Sequence, residues 1–159
     1  MSNQMLTSMV LHSWYSTVKR GEKLFESLSD EELMQEVAPK RNRAIYLLGH
    51  LASVHDMMLP LLGLGEAQFP ELLNDFIRTP DDPNNQQYAI AELREKWNKS
   101  NANLAKAFEN LSPEQWLEKH TSVSDEDFAK QPHRNRLNVL ISRTNHLSYH
   151  LGQLALLNK

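Results

Sequence analysis

The chain has no cysteine, which excludes thiol catalysis by its own residues, Cys-ligated zinc, iron–sulfur clusters and structural disulfides. Five Gly and seven Pro in 159 residues are too few for a collagen-like or low-complexity chain. Positive charge is also short: seventeen Lys and Arg stand against twenty Asp and Glu, a formal charge of −3. A protein that grips a phosphate backbone carries a basic face, so no nucleic acid partner is expected. No stretch approaches the roughly 18 uninterrupted apolar residues of a membrane span, so no membrane partner is expected either. Met1-Ser2-Asn3-Gln4 lacks the basic start and apolar run of a signal peptide, and a cytoplasmic location is the expectation.

What is present is ordinary in bulk and unusual in one respect. With 40% hydrophobic and 23% charged residues, the composition is that of a globular domain able to bury a core without staples. The length suggests a single domain over 1–159. The unusual feature is histidine: His12, His50, His55, His120, His133, His146 and His150.

Four long segments carry the helical period. From Asn3 to Leu28, the positions Leu6, Val10, Trp14, Thr17, Gly21, Leu24 and Leu28 recur at spacings of three and four. Ser29 with Glu32 reads as a capping box opening a short helix that Pro39 closes. A second segment runs from Asn42 to Leu62, with Pro60 kinking its last turn and Gly63 and Gly65 as stops. A third runs from Asn85 to Leu111, followed by Ser112-Pro113-Glu114-Gln115, a capped start for another short helix. The fourth runs from Asn135 to Asn158. No segment alternates with β-branched enrichment, so no strands are expected. Four amphipathic helices of roughly 20 residues make an all-α four-helix bundle. The 63–84 link is long enough for a crossover, but the 112–134 link is long too, and loop lengths leave the topology open.

His146 and His150 lie about 40° apart on one helix face, one turn from each other, which suits two imidazoles converging on one ion. Chance alone would supply about 0.3 such pairs in a chain with seven His. The pair sits mid-helix among apolar residues, as does His50 in Leu47-Leu48-Gly49-His50-Leu51. Buried ring nitrogens without partners cost roughly 1–3 kcal/mol each. If the second and fourth helices are antiparallel neighbours, His50 and His150 both lie about 12 Å from the same end of the bundle. Three nitrogen ligands with an open position describe a catalytic-type metal site.

Gly49-His50-Leu51 within a helix, together with His146-x-x-x-His150-Leu151-Gly152-Gln153-Leu154, resembles the DinB-like superfamily over nearly the whole chain. That resemblance implies an up-down-down-up four-helix bundle with a long crossover after helix two. It implies a divalent metal, zinc or nickel, held by residues matching His50, His146 and His150. It also implies frequent dimerisation, so a homodimer is expected. Some relatives are metal-dependent transferases or isomerases using a low-molecular-weight thiol cosubstrate, and others are described as hydrolases. The expectation is therefore a metal-dependent enzyme acting on a small-molecule substrate, of thiol-transferase or hydrolase type. The competing expectation is a noncatalytic metal-binding stress-response dimer.

Around that site, Gln153 and Tyr46 are candidate neighbours of the open position, and Gln153, about 20° from His146 on the same face, can orient a ligand or a bound water. His55 lies about 140° round the helix from His50 and cannot share its ion; it suits a helix contact or a dimer face. His12 reads as a boundary residue, while His120 and His133 read as solvated. Trp14, Trp97 and Trp116 read as core or interface anchors, and Met57 and Met58 as packing. Arg41, Arg43, Arg134 and Arg136 sit at helix starts, where the macrodipole disfavours cations. They are exposed bystanders or a lure for an anionic substrate. Ser124-Asp125-Glu126-Asp127 reads as a solvated helix start. No Glu or Asp is positioned by the sequence as a general base.

Overall fold

The computed structural model describes residues 2–84 and 86–157. Its regular structure is helical, with no strand among the described residues and only two isolated antiparallel bridges, Glu36 with Arg43 and Lys119 with Asn135. In chain order the α-helices are α1 Asn3–Ser27, α2 Asp30–Leu33, α3 Ala44–Asp56, α4 Met58–Leu62, α5 Ile90–Phe108, α6 Pro113–Trp116, α7 Asp125–Lys130 and α8 Arg136–Leu154. The expected third start at Asn85 and fourth end at Asn158 lie outside the described residues.

Local chemistry sets most boundaries. Ser2, Ser29, Ser112, Ser124 and Asn135 each accept a backbone N–H of the first turn that follows, satisfying donors that the helix cannot. Both arms of the capping box form at Ser29 with Glu32 and at Ser112 with Gln115. The α2 helix nevertheless ends at Leu33, well before Pro39. Residues 35–44 turn back on themselves instead, with Val37 N–H donating to Asn42 O and Ala44 N–H to Gln35 O.

The second expected helix is two. Pro60 has no N–H for the carbonyl of Asp56 and its ring crowds that group, so the chain breaks at Met57 between α3 and α4. The Asp56 carboxylate then receives Gln68 N–H at 3.0 Å and Phe69 N–H at 2.8 Å. Gly63 closes α4 in the left-handed region at φ 69°, where a side chain would be strained. Ala44–Leu62 is the most apolar stretch of the chain, and 67% of that window is buried inside the protein; it is the central core element.

The long helices pack in a ring: α3 most extensively on α5, α1 on α8, with narrower α1–α5 and α3–α8 seams. Trp14, Trp97 and Trp116 are all in the shared core with Leu48, Leu51, Leu104 and Leu147. The α1 stripe fails at its start, where Leu6 is 39% exposed.

The link between α4 and α5 is more ordered than its prolines suggest. Asn74–Arg78 forms a π-helical turn packed on α3. Arg43 is buried, correcting its reading as an exposed or substrate-attracting cation: it pairs with Asp81 at 2.6 Å and donates to Gln86 and to the Asp82 carbonyl. This clamp ties the link to the start of α3.

Candidate metal centre

The helical period of α8 brings His146 and His150 to one face, and the α3–α8 seam brings His50 to meet them. His146 Nε2 lies 3.2 Å from His50 Nε2 and 3.1 Å from His150 Nε2. All three rings are half-buried.

The outward nitrogens explain the inward ones. His50 Nδ1 lies 2.9 Å from the Phe76 carbonyl oxygen, which can only accept, so His50 carries its proton there. His150 Nδ1 donates likewise to Gln153 Oε1 at 2.7 Å. Both Nε2 atoms are then bare lone pairs aimed at His146, whose own Nδ1 is buried without a partner. At most one proton is left among three facing nitrogens. Such a cluster is unfavourable by itself and suits a cation at its centre. Nitrogens sharing one ion at about 2.0–2.1 Å with an angle of about 100° between them lie about 3.1–3.2 Å apart. The donor set and its spacing therefore fit a divalent metal, and imidazole suits zinc and nickel alike.

Protonation does not compete at neutral pH. Burial, then the charges of His150 and His50, holds His146 down to about 4. Burial lowers His50, opposed by the Phe76 carbonyl, and burial lowers His150, opposed by Gln153. All three are neutral, as metal ligation requires.

Two supports were hidden from sequence reasoning. Phe76 supplies both the carbonyl for His50 and a ring laid across Gly49, where an added Cβ would come within 2.4 Å of Phe76 Cε1. Glycine at 49 is thus a packing requirement of the site. Leu72 and Phe76, four apart and both buried, were the available signal for this turn. The second is Arg143, one turn before His146 on the face of α8 and half-buried.

Gln153 is at the site and orients His150. Tyr46 stacks on His50 with centroids 6.4 Å apart, but its hydroxyl donates to the Thr79 carbonyl at 2.8 Å and so is engaged away from the nitrogens. His55 stays apart, fully buried and bonded to Asn101 Oδ1 at 2.7 Å. His12 and His133 are exposed, whereas His120 is half-buried with an unpartnered Nδ1, contrary to its solvated reading. Arg136 is engaged by the Leu62 and Gln115 carbonyls and by Glu118. No carboxylate belongs to the cluster among the described residues.

A groove of about 260 Å³ opens beside His150, lined by Val37, Lys40, Arg41, Asn42, Tyr149 and Gln153. It is smaller than most drug-sized sites, so it suits a small molecule.

A family model described as the DinB superfamily matches residues 14–154. That range holds all three histidines and Gln153, and the chain belongs to this superfamily. No curated protein matches it.

Proposed function

We propose that this DinB-superfamily chain binds one divalent metal ion, zinc or nickel, through His50, His146 and His150, and uses it as an enzyme on a small molecule. The observation that carries the reading is the convergence of three imidazoles, with His146 Nε2 3.1–3.2 Å from the Nε2 of each of the other two, all ligand atoms within 4.8 Å of one another, and two of the outer nitrogens tied to carbonyl oxygens. We read the scaffold as an up-down-down-up four-helix bundle, with the 63–84 link as its crossover.

When bound, the ion supplies Lewis acidity, lowering the pKa of a coordinated water or thiol. The chain's own residues do the rest. Phe76 and Gln153 hold two imidazoles in the tautomer that presents a lone pair. Tyr46, anchored at Thr79, fixes the plane of His50 by stacking. Leu47 and Leu147, buried on the helices that carry the histidines, back this part of the site with apolar core. With no resident carboxylate at the cluster, a hydrolytic reaction lacks its usual general base. A thiol transferase needs none of comparable strength, because the cosubstrate's sulfur is the nucleophile and its proton is lost to solvent. A chain without cysteine takes that sulfur from outside. The small-thiol transferase is therefore the preferred class, and a hydrolase the next.

The lack of a base also favours, as a second reading, an ion that only stiffens the fold. Metal analysis of purified protein, with small thiols then screened against electrophilic acceptors in zinc and nickel, separates the readings. One ion per chain and turnover abolished in His146→Ala support the enzyme. One ion, no turnover with any pair and a large fall in Tm on chelation support the stiffening role. No ion overturns both.

A further inference from the structure

Arg143 stands three residues before His146 on α8, about 4.5 Å back along the axis, and about 20° from His150 around it. Its guanidinium is half-buried and makes no hydrogen bond or ion pair with any described residue. Other inward arginines are engaged: Arg43 by Asp81, Arg94 by the Phe25 and Leu28 carbonyls, Arg136 by Glu118. A guanidinium offers five N–H donors in a planar fork and does not give up its charge, so partial burial without an acceptor is costly. Burial lowers its pKa, and its charge in turn lowers those of His50, His55 and His146. Its register on α8, within about 20° of His150, puts it on the helix face that carries the two histidines. The rings beside it are neutral. The groove beside His150 is lined by Lys40 and Arg41 and by no carboxylate, in a chain whose formal charge is −3.

We propose that Arg143 anchors the substrate: the small molecule taken up beside the three histidines carries an oxyanion group, a carboxylate or a phosphate, that the Arg143 fork binds through two parallel hydrogen bonds. Paired contacts of this kind are strong and directional, so they would orient the rest of the molecule against the Nε2 cluster. Lys40 and Arg41, both exposed, raise the local anion concentration without fixing its position. The location of the reacting group rests on the metal-site reading above, but the anion contact itself needs no metal.

The test uses succinate and inorganic phosphate as probes. Their binding is followed by thermal shift of the metal-free protein and by the visible spectrum of the cobalt(II)-loaded protein, in 0.15 M salt. The unsubstituted protein is expected to bind at least one probe, and the responding probe identifies the anion class. Arg143→Gln should weaken that binding about tenfold or more, with circular dichroism confirming its fold. Arg143→Lys should lose at least about threefold, since charge remains but the fork does not. The double variant Lys40→Gln, Arg41→Gln should bind within about threefold of the unsubstituted protein because exposed charges are screened. No binding by the unsubstituted protein, or equal binding by Arg143→Gln, overturns the proposal. Should Arg143→Gln not fold, unchanged affinity in Arg143→Lys overturns it instead. If cobalt is not taken up but anion binding still falls in the Arg143 variants, the anchor stands and the metal reading fails.

Discussion

His50 and His55 sit five residues apart on the same helix, both are neutral, and each donates from Nδ1 to a carbonyl oxygen. They differ in what the far nitrogen meets. His55 lies between Trp14 and Trp97, with centroids 4.8 Å from each, and its Nε2 is buried with no partner. His50 places its Nε2 3.2 Å from His146 Nε2, which lies 3.1 Å from His150 Nε2. One histidine is a packed polar residue of the core; the other is one corner of a donor cluster. A histidine in an apolar stretch of helix is thus diagnostic of neither role. The decisive fact is whether a second element delivers more lone pairs to the same point.

The sharpest way to break the comparison is to remove one histidine from each place. His146→Ala should lower divalent metal affinity by at least about 1,000-fold, beyond the 10–100-fold typical of an outer partner, while moving the stability of the metal-free protein by less than about 1 kcal/mol. His55→Gln should do the reverse: metal affinity within about threefold, and a loss of about 2–4 kcal/mol for a repacked core with a broken buried bond. Metal titration and urea unfolding of both variants check this.

Acid sharpens it next. His55 is held down from 6.5 to about 3 by burial, against the Asn101 hydrogen bond. As pH falls below about 6.5 the unfolded chain takes up a proton that the folded chain refuses, so stability is full above that range and declines toward pH 3. From His55 alone the loss by pH 4 is on the order of 3 kcal/mol. His146, held down to about 4, adds to the decline in the same direction. Unfolding at pH 7 and pH 4 should show a steep acid limb in the metal-free protein, and a visibly shallower one in His55→Gln.

The smallest effect concerns the carbonyl on the far side of the trio. Gln153→Leu removes the acceptor of His150 Nδ1 and should weaken metal binding about 10–100-fold, with stability changed by less than about 0.5 kcal/mol because the side chain is only half-buried. Competition against a chromophoric chelator reads this; equal affinity would show that Gln153 does not hold the tautomer.

Much of this was legible in the residues and some was not. The capping serines, the break caused by Pro60 and the left-handed Gly63 follow from chemistry within a few positions, and they fall where expected. The pairing of His146 with His150 is likewise fixed by helix geometry. Gln153 was legible on the same face as the pair as a residue able to orient a ligand, and it accepts from His150 Nδ1 at 2.7 Å. Arg43 was misread because its counterion, Asp81, is 38 residues away. The π-helical turn at 74–78 was missed because prolines masked the Leu72 and Phe76 spacing. Arg143 lies among polar neighbours in the sequence, which gives no sign that it is half-buried in the fold.

By itself the chain order determined an all-helical protein, where most helices begin, and that two imidazoles share a face of the last one. Those are local facts, set by 100° and 1.5 Å per residue. Only the packing of α3 against α8 decided that His50 joins them while His55 does not, and that Phe76 and Arg143 stand alongside. Contacts between segments about 100 residues apart depend on how whole helix faces fit together, and no short-range periodicity encodes that.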